Sequence, residues 1–276
     1  MRILTLIMII TVLTTVVACT DAPQGPEKGP MGDLSQVTPE QWQLLSQRTI
    51  YFGHQSVGAN VLEGLRELAA STPQLKLRIV SGHTPAPGVL NEFAIGRNEN
   101  PQSKNAAFLA ATEGSLGPKP VLMFKYCYVD VQSDTDAKRL FERYQQTVSA
   151  LRAKHPEATI VHVTMPLTTD SRIRSFVSGL LGRPSRQTRN GIRTHYNELL
   201  RAAYSGKEPI YDLAATESTR PDGKQEYANV AGKRVYAMAP DWASDEGHLN
   251  AAGRRRAAEQ MLITLASLPE PLVPGR

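Results

Sequence analysis

The sequence predicts one α/β domain with a mainly parallel sheet covered by helices on both faces. Three observations predict it. Short β-favouring apolar runs alternate along the chain with segments of helical periodicity. The 276 residues are 41% hydrophobic, enough for a single large core. No internal repeat or second linker breaks the alternation after residue 37. With 21% charged residues, 20 Gly and 19 Pro, the composition excludes wholesale disorder and fibrous repeats.

Each element has its own signal. Thr38-Pro39-Glu40-Gln41 predicts a helix start: a Thr cap, Pro in the first turn, and Gln three residues after the cap. Thr49-Ile50-Tyr51-Phe52 is a compact strand run closed by Gly53, and Val57, Val61, Leu62, Leu65 and Leu68 then recur at helical spacing. A strand over 75–80, a long Gly/Pro/Asn-rich loop to Ser103 and a helix over 106–112 follow. The spacing next predicts a strand over 120–128, a helix over 137–154, a strand over 158–164, a helix over 191–204 and a short strand over 209–213. A hairpin over 227–238, turning at Gly232-Lys233, and a helix over 251–265 close the chain.

The front end is different. Met1-Arg2 precedes an apolar run over 3–17 that is too short for a comfortable membrane span and suits a secretory signal. It ends in Val16-Val17-Ala18-Cys19, which resembles a bacterial lipobox. That resemblance implies a signal peptide over 1–18 and lipidation of Cys19; the alternative is an ordinary signal cleaved nearby. Residues 19–37, with Pro23, Gly25, Pro26, Gly29, Pro30 and Gly32, read as a flexible tether. The expectation is an exported protein held to a membrane by an N-terminal lipid, with Cys127 the remaining cysteine and no intrachain disulfide. The net charge of +5 is a small surplus, and apart from Arg254-Arg255-Arg256 it is scattered, which argues against nucleic acid as a partner.

In a parallel sheet the working residues cluster at the carboxyl ends of the strands. Two segments there carry chemistry. In Gly53-His54-Gln55-Ser56-Val57-Gly58, Ser56 lies at a helix N-terminus, where unpaired N–H groups favour a developing negative charge. Ser56 as a plain N-cap is the competing reading. In Asp245-Glu246-Gly247-His248-Leu249-Asn250, a carboxylate three residues before His248 can curl back onto Nδ1 and leave Nε2 to accept a proton. A capping Asp beside a surface His competes with that.

Together the two segments resemble the SGNH (GDSL-type) hydrolase superfamily, whose nucleophile lies near the N-terminus and whose Asp-x-x-His pair lies near the C-terminus. Residues 245–253 read D-E-G-H-L-N-A-A-G, like that family's last block, and the resemblance spans about 49–265. It implies a three-layer α/β/α, flavodoxin-like domain over 38–270 and a serine esterase with a Ser56–His248–Asp245 triad, needing no metal or organic cofactor. The expected partner is an acylated carbohydrate or lipid of the cell envelope, with deacetylation foremost. Acyl transfer by the same triad, and a non-catalytic lipoprotein that binds a glycan or partner, are the alternatives.

The chain departs from the family pattern in two places. The acidic residue before the nucleophile is missing, and Gly-x-Asn-Asp after the middle strand is replaced by Lys125-Tyr126-Cys127-Tyr128-Val129-Asp130. Gly96 and Asn98, in the long loop, are the expected substitutes in the oxyanion hole, although Gly and Asn are also ordinary turn formers. His54 and Gln55 contact substrate or shape the turn. His83, His155, His162 and His195 lack metal-ligand spacing. Cys127 reads as a buried thiol, Tyr126, Tyr128 and Trp242 as groove or core, Asp130 as a partner for Lys125 or a helix end, and Asn197 and Asp212 as structural.

Overall fold

The computed structural model describes residues 32–170 and 186–270. In chain order the strands are β1 (Thr49–His54), β2 (Arg78–Ser81), β3 (Val89–Ala94), β4 (Pro120–Phe124), β5 (Thr159–Ile160), β6 (His162–Val163), β7 (Ile210–Tyr211), β8 (Tyr227–Val230) and β9 (Lys233–Tyr236). The helices are α1 (Pro39–Ser46), α2 (Ser56–Ser71), α3 (Pro101–Ala111), α4 (Ala137–Lys154), α5 (Arg186–Tyr204), α6 (Leu213–Ser218) and α7 (Ala251–Ala266).

Five strands form a sheet in the order β2-β3-β1-β4-β5, every pair parallel. β6 and β7 form a further parallel pair beside it, while β8 and β9 make the expected antiparallel hairpin. Alternate side chains of the central strands feed two cores. Ile50, Phe52, Val121 and Met123 join α1, α2, α6 and α7 on one face. Tyr51, Leu122 and Phe124 join α3, α4 and α5 on the other. The period of two in a strand that is buried on both sides produces the three layers. The expected three-layer α/β/α architecture is therefore the observed one.

The capping box expected at Thr38 is formed, with Gln41 N donating to Thr38 Oγ1 and Gln41 Oε1 accepting from Thr38 N. The helix over 137–154 has the expected bounds. The largest difference is β3, which lies inside the stretch expected to be loop, between β2 and β1. Its buried Asn91 would be out of place in an apolar strand, but its amide is satisfied: Oδ1 accepts from Thr84 N at 2.5 Å, and Nδ2 donates to Thr84 O and Ile50 O. The strand expected over 75–80 is displaced to Arg78–Ser81, and that expected over 120–128 ends at Phe124. There Asp130 Oδ2 accepts from Cys127 N and draws the chain into a turn. The strand over 158–164 is split at Val161: Thr159–Ile160 pair with β4, Val161 N still donates to Leu122 O, and His162–Val163 then pair with β7.

The expected signal (1–18), Cys19 and the tether as far as residue 31 lie outside the described residues. Residues 32–37 are packed against the domain: Gly32 O accepts from Gln260 Nε2 at 2.9 Å, and Leu34 and Val37 lie against the core. No helix among the described residues is long and apolar enough to cross a membrane.

Candidate active site

β1 delivers Ser56. All six residues of the strand are buried, and its last glycine is dictated by crowding: a Cβ on Gly53 would stand 2.5 Å from the Phe108 ring. Gln55 is the N-cap of α2, in extended conformation and with no side-chain capping bond, while its carbonyl accepts from Gly58 N and Ala59 N. Ser56 is therefore the first helical residue, not the cap. It is exposed at the carboxyl edge of the sheet, beside the positive end of a 16-residue helix.

The two residues before Ser56 are structural braces. The Gln55 side chain donates from Nε2 to Ile95 O (2.8 Å) and Gly96 O (3.0 Å), tying the turn before Ser56 to the loop after β3. His54 is buried beneath Gly58, with Nε2 2.9 Å from Glu92 Oε2 and Nδ1 3.1 Å from Gln55 O. Burial pulls the His54 pKa down, against the opposing pull of the Gln55 carbonyl and the Glu92 carboxylate. Each ring nitrogen faces one of these acceptors, so a neutral ring donates to only one of them, and His54 braces the turn from beneath rather than facing a substrate. Glu92, a partner that no short-range pattern linked to this turn, is held in turn by Ser81 and Arg66.

The second segment also folds on itself. Asp245 Oδ1 accepts from Gly247 N and His248 N, both at 2.8 Å, and Oδ2 lies 2.8 Å from His248 Nδ1. The backbone bond from Gly247, and then the bonds from His248, hold the Asp245 carboxyl below the usual range. This fixes Nδ1 as the donor and leaves Nε2 pointing elsewhere. One contact across the molecule ties this loop to the first. Asn60 Oδ1 accepts from Leu249 N at 3.2 Å, and Asn60 stands one helical turn after Ser56 on the same face of α2. Below that contact α2 and α7 approach so closely that a Cβ on Gly64 would lie 2.4 Å from Arg254 O. The helix that starts at Ser56 and the helix that follows His248 are locked side by side.

The loop after β3 passes the same edge. Gly96 is in the left-handed region (φ 57°), pressed against the start of α3, with Lys104 N 2.5 Å from a Cβ built there. Asn98 Oδ1 accepts from Lys104 Nζ, which orients its amide. Asp130 does not hold Lys125. It is a fully buried partner of Lys104 at 2.5 Å, and its Oδ1 accepts from Glu99 N, which stabilises the strained φ of 64° at Glu99. Lys125 Nζ instead lies 3.8 Å from Cys127 Sγ, both buried. The thiol is buried, as expected, with the Lys125 amine as its polar neighbour.

Other expectations resolve simply. Tyr126 lies in the core and donates to Asn105, so it lines no groove, whereas Tyr128 is half-buried with its ring against His248. Trp242 Nε1 donates to Thr219 O. Asn197 bridges the backbone of Met165, and Asp212 caps α6 and pairs with Arg201, both structural. No group of three His, Cys, Asp or Glu side chains among the described residues is placed to hold a metal ion.

No protein-family model matches the chain, and no curated protein matches it. The fold is similar to that of GDSL-type lipolytic proteins. One such structure, from Veillonella parvula, is 16% identical over 80% of this chain and 99% of its own, with a TM-score of 0.45. The C-terminal catalytic domain of the Streptococcus pneumoniae peptidoglycan O-acetyltransferase A is 13% identical over 80% and 93%, with a TM-score of 0.40. The OSK domain of Drosophila Oskar is 9% identical over 86% and 98%, again at 0.40. Likeness at this level concerns the course of the chain, and the chemistry has to be read from the residues.

Proposed function

We propose that the protein is a serine esterase acting on acyl esters, with Ser56 as nucleophile, His248 as general base and Asp245 as its orienting carboxylate. The observation that carries this reading is the Asp245–His248 contact, in a loop bonded through Asn60 to the turn of α2 that begins at Ser56. Ser56 Oγ attacks the ester carbonyl while His248 Nε2 takes its proton. The tetrahedral oxyanion forms at the N-terminus of α2, where the Ser56 N–H, Gly96 and Asn98 serve as donors. His248 returns the proton to the departing alcohol, and water then releases the acyl group from Ser56 with the same base.

Hydrolysis is preferred to acyl transfer because Ser56 is exposed and Asp245 is 55% exposed, so water reaches both ends of the triad. The substrate we assign is an O-acylated carbohydrate or lipid of the envelope, met by an exported protein anchored through Cys19. A fluorophosphonate probe tests the mechanism. Mass spectrometry is expected to find the adduct on Ser56 of the purified chain and to find none after His248→Ala. A folded chain left unlabelled at Ser56 would replace the catalytic reading with glycan or partner binding.

A further inference from the structure

We propose that Tyr128, clamped by Arg193, is a positioning residue that sets the ring plane of His248. The proposal rests on the reading of His248 as the base, and its physical content is the orientation of that ring. Asp245 alone is a poor clamp. More than half of its side chain is in water, where an ion pair or hydrogen bond is screened and short-lived. Both of its oxygens meet the same ring nitrogen, at 3.1 and 2.8 Å from Nδ1, so the imidazole can still pivot about that atom.

Tyr128 supplies what the carboxylate lacks. Its ring meets the His248 ring edge-on, with centroids 5.8 Å apart and planes at 81°. Gly247 lies flat on the same ring, since a Cβ there would stand 2.4 Å from Tyr128 Cζ. The glycine before His248 is thus required by contact with Tyr128, and the loop is seated on the aromatic face.

Tyr128 is itself immobilised. Arg193 donates to its carbonyl from both Nε (3.0 Å) and Nη2 (2.7 Å), and the guanidinium lies 5.9 Å from the ring centroid. Nη1 of the same group donates to Asn190 Oδ1 and Thr168 Oγ1. Arg193 is 2% exposed, and burial lowers its pKa to about 9 despite the attraction of Glu217 and Glu246. Burying a cation is a costly way to gain stability. Two of its three nitrogens are committed to the Tyr128 carbonyl and the third to Asn190 and Thr168, so the guanidinium ties the main chain under His248 to the start of α5.

The test uses the full chain, p-nitrophenyl acetate as substrate and NMR of the His248 imidazole. Tyr128→Phe keeps the ring and is expected to stay within about 3-fold of wild type. Tyr128→Leu is expected to lower kcat about 100-fold at nearly unchanged KM, the scale of a misplacement near 1 Å. In a His248→Ala background Tyr128→Leu is expected to cost nothing more, because residues that act as a unit are not additive. Gly247→Ala reaches the same contact from the other side of the ring and is expected to reproduce the kcat loss if Tyr128→Leu does not fold. A kcat within 3-fold for Tyr128→Leu or Gly247→Ala, or an equal loss without His248, overturns the proposal. If wild type shows no Ser56-dependent turnover, the esterase reading fails, and NMR decides the positioning separately. One fixed His248 ring state in wild type that becomes averaged in Gly247→Ala sustains it, and identical spectra overturn it.

Discussion

Ser56 stands at the end of a buried strand, whereas His248 stands in an exposed loop, and the groups behind them differ in kind. Behind Ser56 lie buried polar pairs: His54 with Glu92, and Lys104 with Asp130, the latter excluded from water altogether. Behind His248 lie a half-exposed carboxylate and short-range turn bonds. The Ser56 side is thus fixed by long-range burial and the His248 side by local geometry seated on Tyr128. The difference teaches where each half is vulnerable: damage to the first should unfold the domain, and damage to the second should silence it while leaving it folded.

The largest stability effect is expected at Asp130. Asp130→Ala leaves the Lys104 ammonium buried and unpaired and should cost about 3–5 kcal/mol in denaturant unfolding. A loss below about 1 kcal/mol would show that this pair does not lock the two loops. Glu217 comes next. Burial raises its pKa from 4.5 to about 8, and its Oε1 has no hydrogen-bond partner while Oε2 accepts from Leu167 N. Between those values the folded chain binds the proton that the unfolded chain has released, so stability falls as pH rises through that window. Glu217→Gln should therefore flatten the decline in melting temperature between pH 5 and 8, and an unchanged slope would place the titration elsewhere.

The smallest effect is expected at Asp245. Its lowered pKa means that its stabilisation is present above the unfolded carboxylate value and lost as pH falls through the lower folded value. In so exposed a group the change is screened, and Asp245→Asn should alter unfolding free energy by less than about 0.5 kcal/mol. Its effect on turnover should be far larger. A comparable loss of stability and activity would erase the contrast between the two halves.

How much could be read beforehand follows the same divide. Asp245, Gly247 and His248 fall within four residues, so their turn was legible from spacing alone. The strand, turn and helix around Ser56 were legible too, because apolar periodicity marks them. Glu92 was not, since it sits on β3, and β3 carries Asn91 and follows a Gly- and Pro-rich stretch that reads as loop. Only pairing with β1 and β2 makes Val89–Ala94 a strand. Lys104–Asp130, Asn60–Leu249 and Arg193–Tyr128 join positions separated by 26, 189 and 65 residues, and such contacts leave no local periodicity to detect.

The packing of Gly32 along α7 also governs reach. Gly32 touches Ile263, twelve residues beyond the helix start at Ala251, which follows directly after the His248 loop. At 1.5 Å per residue that is about 18 Å of rigid helix between Gly32 and the His248 loop. Whatever pulls on the chain ahead of Gly32 therefore acts at one end of α7, while the His248 loop lies at the other, and the helix rather than the sheet carries the load between them.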